Sequence, residues 1–156
     1  MSRRDKIRMS DEEISDFLRS SRTMILVSNG RNGYPHPMPM WFAVDDDNSV
    51  LMTTFRKSQK VRNLKKDPRV SLLVEAGEKY QELKSLLIYT EVEIIDDIEV
   101  TIDVMFKMSL QRGDVSADQE EAVKKNLRKT AEKRVVMRFN PGKIVSWDHS
   151  KLGGVY

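Results

Sequence analysis

Prolines occupy every second position of one short stretch, Tyr34-Pro-His-Pro-Met-Pro-Met-Trp41. Alternate residues of an extended chain direct their N–H groups to the same side. Pro35, Pro37 and Pro39 therefore strip one side of a strand of its donors. That side cannot carry a normal ladder. It must be an edge, a bulge, or a backbone face turned toward something other than a neighbouring strand.

The pattern around this stretch places it in an antiparallel sheet. Ser10-Asp-Glu-Glu13 has the form of a capping box, and Ile14, Phe17 and Leu18 follow at helical spacing. Thr23 to Ser28 is an apolar run ending in Asn29-Gly30 and Asn32-Gly33, which is strand followed by hairpin chemistry. The proline segment extends to Val44, Asp45 to Asn48 form a turn, and Ser49 to Thr54 read as the next strand. Ser58 to Lys66 reads as a short helix stopped by Asp67-Pro68. Strands are expected at Arg69–Glu75, Lys84–Ile95, Val135–Phe139 and Lys143–Trp147, with helices after Ile98 and after Ser116. Tight turns between consecutive strands imply antiparallel pairing, and about seven short strands suggest a small barrel with its helices packed outside.

At 156 residues the chain supports one core, expected over residues 10–156, preceded by a flexible basic start at residues 1–9. No cysteine occurs, which excludes disulfides, thiolate metal sites and cysteine nucleophiles. His36 and His149 are the only histidines, too few for a His-rich metal site. Lys plus Arg number 27 against 24 Asp plus Glu, so the net +3 is a near-cancellation rather than a nucleic-acid-coating charge. The basic run 124–134 lacks the interleaved aromatics that stack nucleobases. With no secretory pattern and no apolar run long enough to span a bilayer, the expectation is a cytoplasmic protein with neither nucleic-acid nor membrane partners.

Three segments could carry chemistry. In Thr53-Thr54-Phe55-Arg56-Lys57-Ser58-Gln59-Lys60 a strand delivers two hydroxyls, and cations crowd a helix start where the dipole is already positive. Hydroxyls, free N–H groups and cations would converge there on a phosphate; a solvated charged turn fits the same residues. In the proline strand, Met38, Pro39, Met40 and Trp41 offer soft and aromatic surface beside unpaired backbone, suited to a planar heterocycle, or to an ordinary edge strand. The tail gathers Trp147, Asp148, His149 and Lys151 within a few residues, either beside a site or docking Trp147 into the core. Asp45 to Asn48 is no calcium loop, because Val50 and Arg56 stand where glycine and glutamate are needed.

Taken together, Ser20-Ser-Arg-Thr23, Gly33-Tyr-Pro-His-Pro-Met-Pro-Met-Trp-Phe42, Lys57 to Ser71 and the C-terminal Ser-Trp-Asp-His-Ser-Lys-Leu-Gly resemble the flavin-binding split β-barrel superfamily, the pyridoxamine 5′-phosphate oxidase-like proteins. The likeness runs from about Ser10 to Gly154 and is most specific toward members using the deazaflavin coenzyme F420. It implies a mostly antiparallel split barrel with flanking helices, dimerising with two cofactor sites at the subunit interface. Cofactor phosphate would meet Ser58, Gln59 and Lys60, with Thr53, Thr54 and Lys57 beside it. The ring would lie on Met38 to Trp41, and Trp147 would pack at the interface near it. Asp148, His149 and Lys151 would line the mouth, with Gly153 and Gly154 turning the chain over the barrel.

FMN is the first expectation and coenzyme F420 the alternative, whose longer anionic tail could use Arg56, Lys57 and Arg62. The implied activity is hydride transfer to or from a small organic substrate. A non-catalytic cofactor or haem carrier is the alternative of another class. His36 stands where the true oxidases carry arginine, and their C-terminal Trp and Arg motif is unmatched, which speaks against pyridoxal phosphate synthesis.

Overall fold

The computed structural model describes residues 2–153. Its strands are β1 (Thr23–Asn29), β2 (Pro35–Trp41), β3 (Ala43–Val44), β4 (Val50–Phe55), β5 (Arg69–Ala76), β6 (Lys84–Ile95), β7 (Arg134–Phe139) and β8 (Lys143–Asp148). The helices are α1 (Arg3–Lys6), α2 (Asp11–Ser20), α3 (Gln59–Lys66), α4 (Ile98–Arg112) and α5 (Glu120–Ala131). All pairings are antiparallel, in the order β2-β1-β5-β6-β7-β4-β3, with β8 on β6. Phe42 alone separates β2 from β3, so one residue joins the two ends of that path and the sheet curls into a barrel. This is the split-barrel architecture that the resemblance implies.

Local chemistry sets the boundaries. The Ser10 hydroxyl accepts from Glu13 N–H while the Glu13 carboxylate accepts from Ser10 N–H at 2.6 Å, closing the capping box of α2. Asp97 caps α4 by accepting from Glu99 and Val100 N–H, and Gly113 ends it at φ 78°, a left-handed conformation that suits glycine. The single strand expected over 34–44 is two, because the chain turns at Phe42, which is buried, and changes partner from β1 to β4.

Leu26, Met52, Leu72, Leu86 and Met137 fill the barrel and are fully buried. On the other side of β3, β4 and β7, Ala43, Leu51 and Val136 meet Val104 and Met108 of α4. Helix α4 thus covers the outer face of that half. Residues 7–9, at the end of the basic start, lie along β8. Asp148 N–H donates to Ile7 C=O at 2.7 Å, Met9 N–H to the Ser146 hydroxyl at 3.1 Å, and Met9 is buried.

The β3–β4 turn is fixed by charge. Asp45 accepts from Lys107 of α4 and lies 3.7 Å from Arg138, and Lys107 holds its carboxyl below the usual range. A carboxylate with a depressed folded pKa stabilises fully above its unfolded value, and the contribution is lost as pH falls through the folded one. Melting temperature should therefore fall on acidification below about pH 4, the ordinary carboxylate value. Lys107→Met should flatten that dependence; an unchanged acid slope would show that this pair contributes nothing.

Candidate functional site

The ladder between β1 and β2 pairs Met24 with Met40, Leu26 with Met38 and Ser28 with His36. Proline nitrogens carry no hydrogen, so donation to β1 falls to His36, Met38 and Met40. The carbonyls of Pro35, Pro37 and Pro39 consequently point to the free edge, which offers acceptors and, along those three residues, no donor. The pairing of β3 with β4 sums to a register that, continued, would set Trp41 against Thr53 and Pro39 against Phe55. No such pairs form; among the described residues β2 bonds only β1. The barrel is split here, with the proline edge on one side and Thr53 to Phe55 on the other. Met38 and Met40 are half-buried on the barrel side, with Met40 against the core. Pro39 and Trp41 lie on the opposite, exposed face. Trp41 is 60% exposed and stacked on the Arg112 guanidinium at 4.2 Å.

On the β4 side, Thr53 and Thr54 are buried. Lys60, in the first turn of α3, reaches in to donate from Nζ to Thr54 Oγ1 at 3.1 Å and is only 9% exposed. Burial first, and the Arg134 charge second, lower its pKa. Ser58 is the N-cap of α3, yet its side chain makes no cap bond; its Oγ lies 3.5 Å from Thr54 Oγ1. Gln59 donates to Asn63 Oδ1 at 2.8 Å, and Asn63 donates to Ser28 Oγ at 3.3 Å. This chain leads from α3 toward His36, whose Nδ1 is buried without a partner. Lys57 and Arg62 are exposed. A buried cation, two hydroxyls and a helix start without an acid in its first turn lie together here, a set of groups that can hold an anion.

Two groups of candidate residues are held by contacts within the chain. Arg56, a candidate cation for an anionic tail, donates through Nε and Nη2 to Asp96, at 2.9 and 2.6 Å, and through Nη1 to Glu132 C=O. It is engaged in joining β4 to the strand–helix corners around it. In the tail, Asp148 lies 3.5 Å from Lys84 and accepts from Ser150. His149 packs on Tyr80 with centroids 4.6 Å apart, and Lys151 binds Arg8 C=O and Glu13. These three fasten their own chain's N-terminal segment and the β5–β6 connection. Trp147 is half-buried opposite Ser85, and Gly154 lies outside the described residues.

Two features were not foreseen. Arg134 faces Phe55 across the β4–β7 ladder with its guanidinium 4.4 Å from the ring centroid. It closes a Lys/Arg run that reads as solvated, and only its cross-strand partner reveals it. The second is a bare sheet face. Pro39, Ile25, Leu73, Leu87 and Val145 form one row across β2, β1, β5, β6 and β8, and Trp147 shares their face. The core face of the same strands is filled, whereas these apolar side chains remain partly exposed.

A family profile described as pyridoxamine 5′-phosphate oxidase matches residues 10–148. The chain belongs to that family. A conserved hypothetical protein of Mycobacterium tuberculosis is 36% identical in its crystal structure, covering 100% of this chain and 95% of that one, with a TM-score of 0.86. Two further solved structures are more distant. An F420 reductase is 24% identical over 83% of this chain and 94% of its own, with a TM-score of 0.62. A FAD-binding protein of Mesorhizobium loti is 18% identical over 88% and 94%, with a TM-score of 0.61. These two share the fold. No curated protein sequence matches the chain significantly. Among the described residues, no helix of this pyridoxamine-phosphate-oxidase relative is long and apolar enough to cross a membrane.

Proposed function

We propose that the protein is an oxidoreductase binding a phosphorylated tricyclic cofactor, FMN or the related deazaflavin, in the cleft between β2 and β4. The observation that carries this reading is the donor-free proline edge, which lies across the split from buried Thr53, Thr54 and Lys60. A flavin-type ring has an imide N–H and a planar face. An edge of carbonyls accepts from such an N–H, and half-buried Met38 and Met40 with Trp41 give the strand soft and aromatic surface. The residues therefore fit both ends of the group: Lys60, Thr54 and Ser58 would hold the phosphate, and β2 would hold the ring. Bound there, the cofactor supplies the hydride transfer. This chain's part is to fix the ring, neutralise the phosphate and exclude water. The F420 reductase and FAD-binding proteins of the same fold support the cofactor class.

The bare face suits a second copy of the chain. A homodimer would bury the Ile25–Leu73–Leu87–Val145 row and Trp147, and would cover the exposed side of β2. Phosphate and ring would then be held while the substrate enters beside the ring.

The test is the visible spectrum of the purified protein, followed by titration with FMN and with coenzyme F420. A bound oxidised-flavin or deazaflavin band, or submicromolar affinity for either, is the expected result. Absence of affinity for both, or a haem spectrum, overturns the reading.

A further inference from the structure

A cavity of about 300 Å³ opens at the end of the barrel away from the split. Val50 and Phe139, paired across β4 and β7, line it, whereas Thr54 of the cleft lies further along β4. The intervening strand spans about 13 Å, at about 3.3 Å per residue. Leu72 and Ile88, cross-strand partners only 0% and 4% exposed, back the cavity onto the barrel core. Ile14 and Leu18 close it from α2, one helical turn apart on the same face. The mouth is of another chemistry. Its only charged residues are Asp11, at the start of α2, and Asp47, in the β3–β4 turn, although the chain as a whole carries +3. Asp47 accepts from Arg138 at 2.7 Å. The side-chain oxygens of Asn48 and Asn140, also at the mouth, accept from Arg19 and Arg138. Asp11 is exposed, and no cation pairs with it among the described residues. An acid suits a helix start on its own account; here it also stands over an apolar hollow.

We propose that this cavity is a second ligand site, separate from the cofactor cleft, for a small protonated amine with an apolar body. No lining residue belongs to β2 or α3, so the proposal stands apart from the cofactor reading. Aliphatic and aromatic walls left without a neighbour forfeit dispersion contacts that a guest restores. An aliphatic cavity of about 150 Å³ takes up benzene, so this one has room for an aryl-alkyl group. With that group against Leu72, Ile88 and Phe139, the ammonium would remain at the mouth beside Asp11, in water. No charge is then buried, and the cost of desolvating an ion pair is avoided. A carboxylic acid of the same shape would set its charge against Asp11 and Asp47.

The experiment uses phenethylamine, phenethyl alcohol and phenylacetate, which share one body and differ in the head. Isothermal titration of the full-length protein at neutral pH should rank them amine, alcohol, acid. The amine should bind about fivefold more tightly than the alcohol, the range of a partly solvated ion pair. Asp11→Asn should bring the amine down to the alcohol and leave the alcohol within about twofold, since only the charge is removed. Ile14→Phe, which fills the cavity from α2, should abolish binding of both without lowering the melting temperature. Saturating amine should raise the melting temperature of the wild type and not of Ile14→Phe. If Ile14→Phe does not fold, Asp11→Asn, at an exposed position, still carries the test. No amine binding at millimolar concentration, or acid bound as well as amine, would overturn the proposal. An amine affinity untouched by Asp11→Asn would overturn the choice of ligand, and one untouched by a folded Ile14→Phe would overturn the site.

Discussion

Leu87→Asp is expected to yield a folded monomer with greatly weakened cofactor affinity. Leu87 sits in the middle of β6, between Leu73 of β5 and Val145 of β8, on the face opposite the barrel core that Leu86 and Ile88 fill. In one isolated chain that position is partly exposed, so a carboxylate there meets water and costs the monomer little. Against a second copy it would be buried without a partner. The loss of an apolar contact is about 1.5–3 kcal/mol for a leucine, and an unpaired buried charge adds several more. The dimer dissociation constant should rise by at least about a thousandfold. Its neighbour Leu86 is fully buried in the barrel, and Leu86→Asp should unfold the protein. Light scattering at micromolar concentration, with a thermal melt of each variant, separates the cases. A Leu87→Asp protein that remains dimeric would place the interface elsewhere.

The second large effect carries opposite signs in its two readouts. Lys60→Met removes a buried charge while keeping the length of the side chain. The folded chain disfavours that charge, chiefly through burial and then through Arg134. Without ligand, the variant should melt at the same temperature or higher. With FMN, it should bind about 10–100-fold more weakly, through loss of a charge-assisted contact. The linkage with pH has a definite sign. A lysine whose folded pKa is lowered loses its proton earlier as pH rises, and a bound phosphate opposes that loss. FMN affinity of the wild type should therefore decline on the alkaline side at a pH below the ordinary lysine range, while riboflavin affinity stays flat. Isothermal titration across that range reads both. A Lys60→Met protein that melts much lower and binds FMN normally would make Lys60 a structural residue and no more.

Much of the frame was legible because it rests on local rules. The limits of β6 follow from alternation, the start of α2 from a capping box, and the missing ladder of β2 from three prolines. What was not legible depends on partners far away in sequence. The break at Phe42 needs the knowledge that two strands lie on opposite sides of it. Arg56 reads as a free cation until Asp96, from the end of β6, arrives beside it. Arg134 reads as one more member of a solvated run until β7 sets it across from Phe55. The row from Pro39 to Val145 draws on five strands, and no single one of them is apolar enough on that face to announce it.

The proline edge also bears on the protein before any ligand arrives. A strand at the rim of a sheet normally exposes both donors and acceptors, and so can template the addition of a strand from another molecule. Here the carbonyls of Pro35, Pro37 and Pro39 have no N–H groups beside them, so an incoming strand would find acceptors for its own donors and nothing to donate in return. Extended ladder growth along that rim is blocked. The cleft can thus stay open in a newly made, ligand-free chain without serving as a seed for aggregation.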